Sequence, residues 1–281
     1  MAEIKKVGII KAGCIGTLPI LEFLLDERAE RADIDVRVIG SGAKLGPEQC
    51  RETASLMVQQ KPDLIILIGP AQTAPGPAEA RKILSSEDIP TIVISDDPAK
   101  RIKDSLEKMR LGYIIIDADS MIGARREFLD PVEMALYNSD VIRALAITGV
   151  FNLIVEEIDK VINSLKKDET PTLPHIIIDK AKAIEAAGFE NSYAKAKAMA
   201  AYDIARHVAE INTEACFKVS DWKVYIPLVA AGHEMMRMAA QLADEARELE
   251  KSGDSILRKP HFNDGNFGAK RALIEKPKRA E

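Results

Sequence analysis

The stretch "KKVGIIKAGCIGTLPILEFLLDE", residues 5–27, passes from a short apolar run into a glycine-containing turn and then into a helical pattern. Val7 to Ile10 is compact and rich in β-branched residues, which suits a strand covered on both faces. After Thr17, Leu18, Leu21, Phe23, Leu24 and Leu25 recur at helical spacing, with Pro19 in the first turn, where a missing N–H costs nothing. The turn therefore lies at the carboxyl end of a strand and the amino end of a helix. Open α/β sheets bind ligands there, because unpaired helix N–H groups and the helix dipole favour phosphate or carboxylate.

Working outward, the same strand signal returns as "DVRVIG" at 35–40, "DLIILIG" at 63–69, "TIVIS" at 91–95 and "YIIID" at 113–117. Helical patterns fill the gaps, as in "PAKRIKDSLEKMRLG", which puts Ile102, Leu106 and Met109 on one face. Strand and helix in alternation imply right-handed crossovers and a parallel sheet. From about residue 130 the chain turns to long amphipathic helices at 131–167, 191–221 and 232–253, with breakers at "DETPTLP" and around Pro227. "HIIID" at 175–179 suits either a sixth strand or the start of a helix. The tail "HFNDGNFGAKRALIEKP" reads as a loop and a short strand, with a hairpin around Asp264-Gly265 or Gly268. The expected fold is α/β: a Rossmann-like parallel sheet flanked by helices, then a helical bundle part and a short C-terminal β segment. Its expected divisions are an α/β part at 1–125, a mainly helical part at 126–255 and a C-terminal loop and short strand at 256–281.

Composition narrows the function. The 281 residues are 47% hydrophobic and 30% charged, which places the chain among globular proteins that bury a substantial core. The net charge of −5 comes from 39 basic and 44 acidic residues mixed along the chain, so no broad basic face is offered to nucleic acid. Cys14, Cys50 and Cys216 are odd in number and far apart, which argues against a disulfide scaffold and for a reducing cytosol. The opening apolar run is too short for a signal peptide and no stretch reaches a membrane span, so a cytoplasmic protein without membrane contact is expected.

The strand ends carry unusual loops. "GPAQTAPGPAEA" follows the third strand, "SDDPAK" the fourth and "DADSMIGARREF" the fifth, and all converge with Lys11–Thr17 on one sheet edge. Against the dinucleotide pattern G-x-G-x-x-G, Gly13 and Gly16 match but Lys11 stands at the first glycine, and the second strand ends in Gly40-Ser41-Gly42 without the ribose-binding acid. Two readings stay open for that turn: a nicotinamide site, or a tight turn without ligand. Asp96 and Asp97 before Pro98 suit a helix N-cap. As metal ligands they lack a nearby histidine, and His233-Glu234 fails the zinc-protease pattern because Arg237 stands four residues on. Met235, Met236 and Met238 read as helix core. Cys14 at a helix amino end has no legible companion base for nucleophilic work. An α/β binding module without catalysis, and acyl or phosphoryl transfer through Cys14 or Asp96-Asp97, are the other readings.

Taken together, "KVGIIKAGCIGTLP", "LIILIGPAQTAPGP", "IPTIVISDDPAK", "GYIIIDADSMIGARREFLDPVEMA", "LVAAGHEMMRMAAQLADEARELEKSGD" and "KPHFNDGNFGAKRALIEKP" resemble the archaeal F420-dependent methylenetetrahydromethanopterin dehydrogenases over the full length. The resemblance implies reversible hydride transfer between 5,10-methylenetetrahydromethanopterin and coenzyme F420, giving 5,10-methenyltetrahydromethanopterin and reduced F420 in methanogenesis and archaeal one-carbon metabolism. F420 is then a dissociable cosubstrate. No metal, flavin or NAD(P) is implied, and the oligomer implied is a homohexamer, a trimer of dimers. The coenzyme would be held by Lys11, Gly13, Cys14, Ile15, Gly16 and Thr17, by Gly69, Pro70, Ala71, Gln72 and Thr73, and by Ser95, Asp96 and Asp97. The pterin would lie against Asp119, Ser120, Met121, Arg125, Arg126 and His233. Both substrates are anionic through phosphate and carboxylate groups, which suits Lys11, Lys44, Lys100, Arg125 and Arg126. Lys11 would face negative charge gathering on the deazaflavin, while Asp97 or Asp119 would face the methenyl cation. No residue is expected to be an indispensable acid or base.

Overall fold

The computed structural model describes residues 4–13 and 18–279, and the side chains of Leu18 and Pro19 lie outside that description. The strands of the first compact unit are β1 (Lys5–Lys11), β2 (Ile34–Gly40), β3 (Leu64–Ile68), β4 (Thr91–Asp96), β5 (Gly112–Ile116) and β6 (His175–Ile178), in the order β2-β1-β3-β4-β5-β6. The pairs β1–β2, β1–β3, β3–β4 and β4–β5 are parallel. "HIIID" thus supplies a strand: Tyr113 N–H donates to Pro174 O and Asp117 N–H to Ile178 O, so β5 and β6 advance together. Every residue of β3, β4 and β5 is buried, as continuous apolar runs demand, while β2 at the edge is half exposed. The strand order reverses between β1 and β3, which places the switch point at the carboxyl ends of these two strands.

The helices α1 (Leu18–Leu25), α2 (Pro47–Gln59), α3 (Pro75–Leu84) and α4 (Lys103–Lys108) alternate with these strands. Proline opens α2 and α3, where φ is already helical and no donor is lost. One face of the sheet packs Ile10, Ile65, Leu67, Val93 and Ile115 against Cys50, Ala54 and Met57 of α2 and Leu84 of α3. Burial raises the Cys50 thiol pKa, as befits an inert core group.

Two later stretches complete this unit, which consists of the described residues up to Ile116 together with Ile154–Ile177 and His261–Asn266. The sequence expectation of contiguous parts meeting at residues 125 and 255 differs from this division, because the chain returns twice to the sheet unit. The ties are charged and buried. Arg31 donates from Nε and Nη2 to Asp33 (2.9 Å each) and from Nη1 to Asp159 Oδ1 (3.0 Å), the latter on α6 (Val150–Lys166). His261 Nε2 lies 2.6 Å from Asp159 Oδ2 and its Nδ1 lies 2.8 Å from Glu27. Burial alone would disfavour the imidazolium, but these two carboxylates outweigh it and the His261 pKa is raised. Lys166 closes the set on Asp33 (2.8 Å) and Asp264 O (2.6 Å). Gly265, at φ +82°, passes so close to Asp33 that a Cβ would overlap its carboxylate.

The second unit contains Asp117–Leu153, Ile178–Pro260 and the described residues from Phe267 onward. Its helices are α5 (Pro131–Ile147), α7 (Lys180–Ala187), α8 (Ser192–Phe217) and α9 (Trp222–Ser252), and β7 (Gly268–Ala269) pairs antiparallel with β8 (Lys278–Arg279). Asp130, Asp179 and Asn191 cap α5, α7 and α8 with their side-chain oxygens. Buried alanines at 194, 198, 201 and 205 of α8, and at 239, 243 and 246 of α9, let these two long helices pack along each other. Pro227 does not break the chain into two helices as the sequence suggests. It lies in the second turn of α9, where it removes one backbone donor and the helix continues through it. Of the three methionines read as core, Met236 is buried whereas Met238 is exposed. Among the described residues no helix is long and apolar enough to cross a membrane.

Candidate functional site

At the switch point the first unit gathers three of the expected loops. Ala12 N–H donates to Ile68 O (2.9 Å) and Gly69 N–H to Ile94 O (3.2 Å), so the ends of β1, β3 and β4 are stitched together. Gly69 runs so close to β1 that a Cβ there would overlap the Ala12 carbonyl oxygen. Gly13, at φ +82°, donates its N–H to Ser41 Oγ (2.8 Å), which in turn donates to Lys44 O (2.6 Å). Ser41 sits where a nicotinamide site would carry its ribose-binding acid, and here it braces the first turn. Lys11 is half-buried at the end of β1 and Lys44 is exposed. Cys14, Ile15, Gly16 and Thr17 lie outside the described residues.

The Gly69–Thr73 loop is gripped from within. Gly69 O accepts from Ser95 Oγ (2.8 Å) and from Gln72 Nε2 (3.1 Å), and Gln72 O and Oε1 both accept from Arg81 Nη1 (2.7 and 2.6 Å). Ala71 adopts φ +50°, a left-handed conformation that costs a residue with a Cβ about 1–2 kcal/mol and so has to be held by its surroundings. Asp96 does that: its carboxylate accepts the Ala71 N–H and a bond from Ser95 Oγ (3.1 Å). Asp96 therefore does not cap the following helix with its side chain, contrary to the N-cap reading of Asp96-Asp97. Asp97 is half-exposed and pairs with Lys100 at 2.5 Å, leaving Thr73 as the exposed polar member of the third-strand loop.

Asp96 is 4% exposed, and burial pushes its pKa from 3.8 to about 6 against the bonds from Ser95 and Ala71. The folded chain keeps this proton at pH values where the unfolded chain has released it. Asp96 thus adds stability that is full below 3.8 and lost as the pH rises through about 6, roughly 3 kcal/mol in all. Asp96→Asn should remove this component, flattening the fall in urea midpoint between pH 4 and 6.5. A slope unchanged from wild type would place the titration elsewhere.

The second unit brings the remaining expected residues together around a buried polar network. Asn212 Nδ2 donates to Ser120 Oγ (3.0 Å) and to Tyr137 OH (2.8 Å), and Tyr137 OH donates to Ser120 O (3.2 Å). His233 donates from Nε2 to Gly123 O (2.6 Å), places Nδ1 3.1 Å from Glu133 and stacks on Tyr137 with centroids 4.1 Å apart. Asp119, Ser120, Met121 and His233 are all buried. Arg125 reaches Val219 O (2.7 Å) with its guanidinium over the Tyr225 ring, and Arg126 is the exposed cation of the run. Sequence reasoning missed Ser41, Arg81, Tyr137 and Asn212. Asn212 left a signal, a polar side chain at a helical position whose neighbours at three and four residues, Val208, Ala209, Ala215 and Cys216, are apolar; Tyr137, with Glu133 and Asp140 at those spacings, left none. Among the described residues no three His, Cys, Asp or Glu side chains cluster as a metal site.

A doubly wound parallel sheet with braced loops at its switch point, in a chain that also builds an α-helical unit around a buried histidine, defines an α/β protein whose strand ends form the candidate ligand edge. A family model described as methylene-5,6,7,8-tetrahydromethanopterin dehydrogenase matches residues 5–278. The chain belongs to this family. Relatives named F420-dependent methylenetetrahydromethanopterin dehydrogenase include those of Methanocaldococcus jannaschii, 55% identical over 97% of this chain and 99% of the relative, and Archaeoglobus fulgidus, 54% identical over 97% and 98%. A solved F420-dependent methylene-tetrahydromethanopterin dehydrogenase in complex with methylene-tetrahydromethanopterin and coenzyme F420 superposes with a TM-score of 0.94 at 46% identity, covering 98% of this chain and 100% of that one. The family resemblance and the fold class read from the sequence are both borne out.

Proposed function

We infer that this protein is an F420-dependent oxidoreductase that reversibly transfers a hydride from 5,10-methylenetetrahydromethanopterin to coenzyme F420, giving 5,10-methenyltetrahydromethanopterin and reduced F420. The observation that carries this reading is the full-length likeness to an enzyme solved with both molecules bound. Hydride departure leaves a cation on the one-carbon bridge, and hydride arrival places negative charge on the deazaflavin, which a proton then neutralises. The organic partners supply the bond chemistry, so the protein has to position them, exclude water and match these charges.

The sheet unit holds F420 in this reading. Lys11, Gly13, Gly69 to Thr73 and Ser95 to Asp97 are its contacts, and Cys14, Ile15, Gly16 and Thr17 are assigned to it from the sequence alone. Support comes from the bracing of these loops at one sheet edge and from Lys11, a cation at the end of β1. For the pterin, Asp119, Ser120, Met121, Arg125, Arg126 and His233 form the second group, with Arg126 as the exposed cation for an anionic tail and the buried network as the brace of the 119–126 run. Asp97 or Asp119 is the carboxylate for the methenyl cation. The enzyme is read as a cytoplasmic homohexamer, a trimer of dimers. Exposed apolar side chains Leu129, Val132 and Leu136 give it surface to bury, and light scattering that finds a monomer would refute the assembly.

Anaerobic absorbance tests the activity. Purified protein mixed with F420 and methylenetetrahydromethanopterin should bleach the F420 band, while NAD or NADP in its place should yield no reduced nicotinamide. Absence of bleaching with intact, F420-binding protein would overturn the pterin as substrate, and absence of F420 binding would overturn the coenzyme.

A further inference from the structure

Arg81 is a charged group for which the sheet unit shows no counter-ion. It lies on α3, 7% exposed, and among the described residues it forms no ion pair; Glu79, the acid on its own helix, lies 3.7 Å from Arg51 instead. Its Nη1 bonds go to the backbone and side-chain oxygens of Gln72 alone, and its buried Nε has no acceptor. Burying a guanidinium without an anion is costly, and burial here lowers its pKa.

The same bonds show what that cost accomplishes. Gln72 is fully buried and passes the grip on, since its Oε1 accepts from Arg81 while its Nε2 donates to Gly69 O. Gly69 O is shared with Ser95 Oγ at the end of β4, and Ala71 between them is held left-handed by Asp96. Remove Arg81 and both oxygens of Gln72 lose their donor, so the third-strand loop keeps its β4 anchors and loses its α3 anchor.

We propose that Arg81 is a positioning residue for the coenzyme: through Gln72 it fixes the Gly69–Thr73 backbone in the binding geometry, and its uncompensated charge favours an anionic ligand on that loop. This rests on the reading that the loop holds F420. The arginine itself touches neither substrate.

The test compares wild type with Arg81→Lys, which keeps a charge but loses the planar fork. Steady-state kinetics are measured for both substrates, together with amide hydrogen exchange of residues 69–74 in the folded enzyme. KM for F420 should rise about tenfold, the scale of one charge-assisted hydrogen bond. The turnover number and KM for the pterin should stay within twofold, and exchange in the loop should accelerate. Unchanged exchange would mean that Arg81 does not hold the loop and would overturn the proposal. Faster exchange with an unchanged F420 KM would overturn it together with the assignment of the loop to F420. A fall in turnover alone, with both KM values kept, would reduce Arg81 to a structural residue. Should Arg81→Lys fail to fold, Gln72→Glu serves: it supplies the missing counter-ion at equal size while removing the donor to Gly69 O and cancelling the charge. F420 KM should again rise about tenfold, and an unchanged value would overturn the proposal.

Discussion

Asp159→Ala should lower folding stability by about 3–5 kcal/mol, the range for stripping one partner from a buried ion pair. The carboxylate serves two buried cations at once, Arg31 through Oδ1 at 3.0 Å and His261 through Oδ2 at 2.6 Å. Arg31 would retain Asp33, held at 2.9 Å, so the loss concentrates at His261, whose ring would lose the carboxylate at Nε2 and keep Glu27 at Nδ1. Burial alone would raise the Asp33 pKa, but the bonds from Arg31 and Lys166 hold it low, so that second anchor stays charged well into acid. A pH series sharpens the prediction. The His261 pKa is raised, so its contribution is full below 6.5 and lost as the pH rises through the folded value, and Asp159→Ala should weaken this alkaline decline along with the baseline. Guanidinium unfolding measures both effects. A loss below about 1 kcal/mol would mean that the network is worth no more than surface pairs.

Gly69→Ala should cut kcat/KM for F420 by roughly 10²-fold, the effect of displacing a binding element by about 1 Å. The added methyl would overlap the carbonyl oxygen of Ala12, and backbone cannot swing aside as a long side chain can. Either the loop lifts from β1 or the end of β1 moves, and each motion spoils the stitching Ala12 N–H to Ile68 O and Gly69 N–H to Ile94 O. Overpacking of this kind also costs about 1–3 kcal/mol, so melting must be followed in parallel. KM for the pterin should change far less than KM for F420. Kinetics within twofold of wild type, with the chain folded, would remove this edge from the coenzyme site.

Much of the sheet unit was legible because parallel strands leave continuous apolar runs, and "LIILI" or "YIII" admits few other readings. β6 was ambiguous because four residues are too few to separate period 2 from period 3.6. Pro227 read as a breaker because its place in the second turn depends on Asp221 capping the helix just upstream. The interleaving of the two units was not legible at all: Arg31 and Asp159 are 128 residues apart, and Asp159 and His261 another 102, and no local pattern announces such pairs. At the candidate site the loops were legible, since every strand of a parallel sheet ends at the same edge. Their bracing was not. Asp96 before Asp97-Pro98 has the sequence of a cap, and only its neighbour across the sheet, Ala71, shows why it turns inward. Arg81 reads as an ordinary surface arginine until the packing of α3 buries it.

The assembly of the sheet unit from three separate stretches of chain bears on how the protein is made. Arg31 and Asp33 leave the ribosome early, yet their partners Asp159 and Lys166 on α6 are translated much later, and the His261–Asn266 segment that bonds to Ala32 and Lys166 later still. Until α6 emerges, Arg31 lacks Asp159 and Asp33 lacks Lys166, and only when residue 261 follows does its imidazole meet Glu27 and Asp159, both made long before it. The first unit begun is therefore among the last to be finished: a chain stopped short of residue 261 lacks the histidine that joins Glu27 to Asp159, however complete its strands.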